Sequence, residues 1–112
     1  MEENKNNEVE RPLYQQDLLI CHTGSMMPLS PDPEKLDPTW GKRDMANIIG
    51  GSPGYIPCDY GKMLIYDIAG RDAAKPLNAT ATFLAQFNGF PDFIIFGNAL
   101  YIDETHYDPK KR

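Results

Sequence analysis

The chain has 112 residues, of which 41% are hydrophobic, and its 16 acidic and 11 basic side chains give a formal net charge of −5. This length suits a single domain, and that much apolar surface excludes a wholly disordered chain. The negative charge disfavours nucleic acid as a partner, because the phosphate backbone would be repelled at long range.

The first residues of the chain predict neither a core element nor a signal peptide. Residues 1–12 are rich in Glu and Asn and lack an apolar segment, so we expect a disordered N-terminal arm and a cytoplasmic protein with reduced cysteines. The folded domain is predicted over residues 13–103, followed by a polar tail at 104–112. Since no apolar run approaches the ~18 residues of a membrane helix, no membrane partner is expected.

The first half of the predicted domain contains a strand, a loop and a helix. A short apolar run at 18–21 predicts a strand that is buried on both faces. Prolines between residues 28 and 38 predict an extended loop, since each fixes φ and removes a backbone donor. Asp37 as N-cap predicts a helix over 38–49, which carries Trp40 into the core and stops at the glycines that follow.

A strand pair is predicted next. Residues 55–58 are predicted as an edge strand, because Pro57 cannot donate to a sheet ladder. A turn at 59–61 connects this strand to a central strand at 62–68, whose apolar residues partly alternate.

The last third predicts a helix and a terminal hairpin. The helix runs from the N-cap Asn78, and its apolar face contains Ala79, Phe83 and Phe87 at a spacing of four residues. Short apolar runs at 92–96 and 99–102, joined by a Gly-Asn pair, predict the hairpin. The element order favours an α+β fold, with a mixed or mainly antiparallel sheet of four to five strands and two helices on one face.

No catalytic or metal site is predicted, and no cofactor is expected. Cys21 and His22 are adjacent, so on a strand they point to opposite faces, and metal-binding spacings such as C-x-x-C do not occur. The serines and cysteines lack a recognised nucleophile motif. A hydrolase or transferase that acts through Cys58 and His22 is the enzymatic alternative.

The first predicted ligand site is the glycine-rich loop at 50–55. Glycines after a helix can expose backbone N–H groups to an anion, with Lys42 or Arg43 at a phosphate and Tyr55 stacked on a base. The alternative is an ordinary helix stop and tight turn.

The second predicted ligand site is the turn before the second helix. Arg71 and Lys75 flank this turn, and Asn78 and Thr80 lie where a helix start leaves free N–H donors. The alternative is a solvated basic turn with an ordinary cap.

Several segments between Met45 and Ile102 resemble the small phage and plasmid family called domain of unknown function 3846. They are a helix that ends in a glycine pair, a short strand, a Pro-x-Asn-type element and a final apolar segment. In chain order these segments are Asn47-Ile48-Ile49-Gly50-Gly51, Tyr55-Ile56-Pro57-Cys58, Pro76-Leu77-Asn78-Ala79-Thr80-Ala81-Thr82 and Asp92-Phe93-Ile94-Ile95-Phe96-Gly97-Asn98-Ala99-Leu100. No activity is assigned to that family, so the resemblance implies a context rather than a reaction: a gene of phages or mobile elements.

In that context we expect a non-enzymatic binding protein that counters a host defence system. It would either mask a defence protein or sequester a nucleotide signal, the latter through Lys42, Arg43, Tyr55, Arg71, Asn78 and Thr80. A pocket shared between subunits is typical of tight anion binding, so a homo-oligomer is expected. An accessory role in phage replication is the remaining alternative.

Overall fold

A computed structural model describes residues 16–31 and 38–111. Within them, an antiparallel sheet of five strands has the order β2-β1-β5-β4-β3. The strands are β1 (Leu18–Ile20), β2 (Met26–Pro28), β3 (Pro53–Cys58), β4 (Lys62–Asp67) and β5 (Ala99–Asp103). The helices are α1 (Lys42–Ile49) and α2 (Ala79–Phe87). The predicted α+β class is confirmed, whereas the predicted arm at 1–12 lies outside the described residues.

The prediction that both helices lie on one face of the sheet is wrong. Successive residues of a strand point to opposite faces. Leu64 of β4 packs in one apolar cluster with α2, while its neighbours Met63 and Ile65 pack in a second cluster with α1. Each face of the sheet is therefore covered by one helix, because central strands that are apolar on both faces need cover on both.

The predicted strand pair is confirmed. β3 lies at the edge of the sheet, where Pro57 does not interrupt an inner ladder, and β4 lies between β3 and β5. The connection at 59–61 is a tight turn in which Tyr60 adopts a left-handed φ of 62°. The edge strand β2 is an element that the sequence analysis missed, because its three residues are exposed and end in a proline that is typical of a loop.

The predicted terminal hairpin is wrong. β5 pairs with β1 on one side and with β4 on the other, so residues 92–96 find no free edge beside it. They run along α2 instead, where the backbone N–H of Ile95 donates to Thr82 Oγ1 at 2.8 Å.

Helix α1 begins at Lys42 rather than at residue 38, because the backbone of Trp40 is engaged elsewhere. The N–H of Trp40 donates to the carbonyl of His106 at 2.6 Å, and its own carbonyl accepts from the N–H of Asp108 at 3.0 Å. Trp40 itself is 1% exposed, as predicted for a core residue. At the other end Gly50 has a left-handed φ of 71° and donates to Ala46, which confirms the predicted stop.

Helix α2 has the predicted N-cap but not the predicted inward face. Phe83 and Phe87 are 66% and 73% exposed, whereas Ala81 and Ala85 are fully buried. The buried Asn78 decides this orientation, since its Nδ2 donates to the carbonyls of Ile20 at 3.0 Å and Gly97 at 2.8 Å. With residue 78 fixed inward, the positions three and seven residues later face the sheet, and the phenylalanines face outward.

The chain remains in contact with the domain after β5. A short 3-10 turn spans Glu104–His106, and Tyr107 forms a parallel bridge with Trp40. Lys111 Nζ then donates to the carbonyl of Thr39 at 2.9 Å. The residues predicted as a polar tail thus complete the α1 layer as far as residue 111.

Candidate functional site: a basic concavity beside helix α1

Two of the predicted ligand residues line a concavity at the start of α1. Lys42 and Arg43 are the first residues of the helix, and both are exposed. Residues 109–111 lie opposite them and form the C-terminal wall of this concavity, whose volume is about 350 Å³. We call this site the basic concavity; its lining residues are Lys42, Arg43, Ala46, Pro109, Lys110 and Lys111.

Backbone contacts hold the two walls of the basic concavity together. The N–H of Lys42 donates to the carbonyl of Lys111 at 3.0 Å. A Cβ atom at Gly41 would lie 2.7 Å from that same carbonyl oxygen, so the close approach depends on a glycine there. The two walls are thus joined by a backbone hydrogen bond at the start of α1.

The electrostatics of the basic concavity favour an anion. The start of an α-helix carries a partial positive charge, and it adds to the charges of the lysines and the arginine. This concentration is local, since the chain as a whole has a net charge of −5.

Tyr55 lies on the same side of the sheet as the basic concavity. Its cross-strand partner Ile65 packs in the α1 cluster, and directly paired residues share a face. The Tyr55 ring is 54% exposed and lies 5.5 Å from the ring of Tyr107, centroid to centroid. Burial, together with the neighbouring Tyr55, raises the pKa of the Tyr107 phenol above its ordinary value. Tyr107 stands two residues before Pro109, so the aromatic pair adjoins the C-terminal wall.

The glycine-rich loop does not offer its backbone to an anion. The N–H groups of Gly50 and Gly51 both donate to the carbonyl of Ala46, and that of Ser52 donates to Asp67 Oδ1 at 3.1 Å. The loop follows the negative end of α1, and a cation is bound there: Lys75 Nζ donates to the carbonyls of Ile49 at 3.1 Å and Gly50 at 2.7 Å. The anion-binding prediction for this backbone is therefore wrong.

Lys75 also forms an ion pair with Asp67, at 2.6 Å between Nζ and Oδ2. Burial by itself raises the pKa of the Asp67 carboxyl, but the hydrogen bonds from Lys75, Ala69 and Ser52 and the charge of Lys75 hold it below its ordinary value. Lys75 thus joins the end of α1 to the end of β4, and its ammonium is engaged within the fold.

The other predicted ligand residues lie apart from the basic concavity. Arg71 is exposed and lines a separate groove of about 320 Å³, whose walls include the carboxylates of Asp67 and Asp92. Asn78 is fully buried, and its amide both caps α2 and anchors it to the sheet. Thr80 lies half-buried in the first turn of α2. The basic concavity therefore contains Lys42 and Arg43 of the predicted set, and Tyr55 lies on the same side of the sheet without lining it.

The enzymatic alternative finds no support in the geometry. Cys58 lies at the Asp103 end of the sheet, whereas His22 follows the strand that pairs with the Ala99 end. Strands β5 and β4 also separate β1 from β3, which corresponds to about 14 Å across the sheet. Burial and the nearby Asp59 raise the pKa of the Cys58 thiol to about 11, so at neutral pH it is not a thiolate nucleophile.

A polar cluster around Asp17 is the feature that the sequence analysis missed. Asp17 accepts hydrogen bonds at 2.8 Å from Trp40 Nε1 and His106 Nδ1 and at 2.9 Å from the N–H of Asp103. The cluster joins the start of β1 to the C-terminal wall of the basic concavity. No local signal could reveal it, because Asp17 and His106 are 89 positions apart.

Among the described residues, no group of three or more His, Cys, Asp or Glu side chains is arranged to hold a metal ion. In the same part of the chain, neither helix has the length and apolarity to cross a membrane. Comparison with family models, curated proteins and solved structures finds no match for this chain. The resemblance to domain of unknown function 3846 stays a prediction.

Proposed function

We propose that this protein is a non-enzymatic binding protein that sequesters a phosphorylated small ligand in the basic concavity. The ligand class that fits the surroundings is a nucleotide, with its phosphate at the cations and its base near the aromatic pair. In the phage or mobile-element context that the resemblance implies, the ligand would be a nucleotide signal of a host defence system.

The convergence of Lys42 and Arg43 with Lys110 carries this proposal. Lys111 adds its charge to the same wall, but its ammonium already donates to Thr39. An arginine offers a planar fork of N–H donors that matches phosphate oxygens, and lysines add compact charges around it. In an acidic chain, such a cluster gives one region of locally positive potential, which attracts an anionic ligand.

The size and the neighbours of the basic concavity fit a nucleotide better than a large polyanion. Its volume of about 350 Å³ lies at the lower end of the range of ligand pockets, roughly 300–1,000 Å³. The exposed ring of Tyr55 offers a stacking surface on the same side of the sheet. The net negative charge of the chain opposes binding of an extended nucleic acid.

Titration calorimetry against a defined panel tests the proposal. The panel contains inorganic phosphate, mononucleotides, and linear and cyclic dinucleotides. We expect binding of at least one nucleotide, a loss of about tenfold or more in affinity for Lys42→Ala/Arg43→Ala, and weaker binding at higher salt because the contacts are ionic. Injections without heat for every ligand would contradict the proposal.

Arg71→Ala is the matched control, since Arg71 is an exposed arginine in a different groove. We expect its affinity to stay within about twofold of the parent. A loss for Arg71→Ala together with unchanged binding by Lys42→Ala/Arg43→Ala would place the ligand in the Arg71 groove instead.

Sequestration and catalysis are separated by the fate of the ligand. After prolonged incubation with the protein, the nucleotide is expected to be recovered unchanged by chromatography. Product formation that scales with protein concentration would favour the enzymatic alternative.

A further inference from the structure

Helix α2 presents an uncharged apolar surface on the side of the sheet opposite the basic concavity. Residues 76–91 contain no Asp, Glu, Lys or Arg, although 24% of the whole chain is charged. Phe83 and Phe87 project from this helix, and their rings stack at 6.1 Å between centroids with an interplanar angle of 24°. Exposed apolar side chains grouped in this way are typical of an interaction surface.

The row formed by Ala79, Phe83 and Phe87 is self-complementary about its centre. Two copies of α2 can pack antiparallel about a two-fold axis next to Phe83. In this arrangement Phe83 of one copy contacts Phe83 of the other. Because the spacing is four residues on either side, Phe87 of one copy then meets Ala79 of the other. A large side chain thus faces a small one at both ends of the row, which is the fit that helix packing requires.

Charge favours a second copy at this surface over other parts of the chain. Two molecules with a net charge of −5 repel each other, so a face rich in carboxylates would bring like charges into contact. An interface centred on residues 76–91 pairs uncharged surface with uncharged surface and avoids that cost.

We infer that the protein forms a homodimer through antiparallel pairing of helix α2, with Phe83 on the two-fold axis. This inference is independent of ligand binding, since α1 and α2 cover opposite faces of the sheet. The dimer leaves both copies of the basic concavity open.

Sedimentation velocity over a range of protein concentrations tests the dimer. We expect the mass to rise from that of one chain, 12.6 kDa, to twice this value as concentration increases. Phe83→Glu is expected to stay monomeric, because two carboxylates would meet on the axis. Met27→Glu is the matched control and is expected to dimerise, since Met27 is 46% exposed and its cross-strand partner Leu19 packs in the α1 cluster on the opposite face of the sheet.

A size swap tests the pairing itself. Ala79→Phe alone brings two phenylalanines together at each end of the row and should weaken the dimer at least tenfold. The double variant Ala79→Phe/Phe87→Ala exchanges large and small and should restore association. Circular dichroism checks that each variant is folded.

A chemical cross-link provides a second readout. Phe83→Cys should form a disulfide with its own copy under mild oxidation, and mass spectrometry should identify the peptide bridged at residue 83. A parent protein that is monomeric at every concentration, or a dimer that tolerates Phe83→Glu, would overturn the inference. A double variant that stays monomeric while correctly folded would overturn the antiparallel pairing.

Discussion

Helix α1 and helix α2 cover opposite faces of one sheet, but α1 buries large apolar side chains whereas α2 turns its two phenylalanines outward. Met45 and Ile49 of α1 are 1% and 3% exposed, whereas Phe83 and Phe87 of α2 are mostly exposed. The fully buried residues of α2 are alanines, and among its larger side chains the half-buried Leu84 packs against the core. The comparison shows that an apolar stripe identifies a helix without identifying which side meets the sheet.

The two helices are also held in place by different means. α1 is held by packing of large side chains and by the C-terminal segment, whereas α2 is held at its start by the hydrogen bonds of one buried asparagine. We therefore expect substitutions in the two layers to have different consequences for the free energy of unfolding.

The largest effect is expected for Met45→Ala. Removing this buried side chain loses its transfer free energy and leaves a cavity in the α1 layer, so the free energy of unfolding should fall by about 3 kcal/mol. Urea denaturation followed by circular dichroism measures the change. A loss below about 1 kcal/mol would mean that the α1 layer is not closely packed.

Asn78→Ala is expected to lower the free energy of unfolding by about 2–3 kcal/mol. It removes the cap of α2 and leaves the buried carbonyls of Ile20 and Gly97 without their donor. Asn78→Ser retains a capping oxygen but cannot reach both carbonyls, so it should recover only a minor part of the loss. Full recovery with serine would show that the cap alone matters and that anchoring to the sheet does not.

Lys75→Met is expected to lower the free energy of unfolding by about 1–2 kcal/mol at neutral pH, because it leaves the buried carboxylate of Asp67 without its cation. The pKa of Asp67 is lowered in the folded protein, so its contribution is present above its ordinary pKa and is lost as the pH falls through the lowered value. In the variant, which lacks the cation, the pKa of Asp67 should be lowered less. The difference between parent and variant should therefore shrink only as the pH falls through the lowered pKa of Asp67 in the parent, below which this carboxyl is protonated in both proteins.

Urea denaturation at a series of pH values between about 7 and 3 measures this difference. Lys110→Met is the control, since Lys110 is an exposed lysine at the opposite end of α1, and no pH-dependent loss is expected for it. If the free energies of unfolding of the parent and of Lys75→Met differed by the same amount at every pH, the role of the ion pair would be contradicted.

The smallest effect on the fold is expected for Phe83→Gln. The side chain is 66% exposed and lies on the outer face of α2, so the free energy of unfolding of the monomer should change by no more than about 0.5 kcal/mol. The measurement is made at a protein concentration low enough to exclude self-association. A loss above about 1.5 kcal/mol would mean that Phe83 packs inward and that the contrast between the helices is false.

Part of the candidate site could be predicted from local signals. Lys42, Arg43 and Tyr55 were selected because they surround a helix and its glycine stop, and the structure places all three on the α1 side of the sheet. The C-terminal wall with Lys110 and Lys111 was not predicted, because its contact with the start of α1 spans most of the chain. At the glycine loop the helix stop is confirmed, but the engagement of the loop N–H groups by Ala46 and Asp67 depends on the folded structure and could not be predicted.

The sequence by itself determined where several elements begin and end. The stop of α1 at Gly50, the cap of α2 at Asn78 and the edge position of the strand that contains Pro57 follow from the conformations and donors of a few adjacent residues. Only the tertiary structure decided which face of α2 meets the sheet, how Asp17 reaches His106 and where the cations converge. Each of these depends on burial and hydrogen bonds between segments far apart in the chain, which no local pattern encodes.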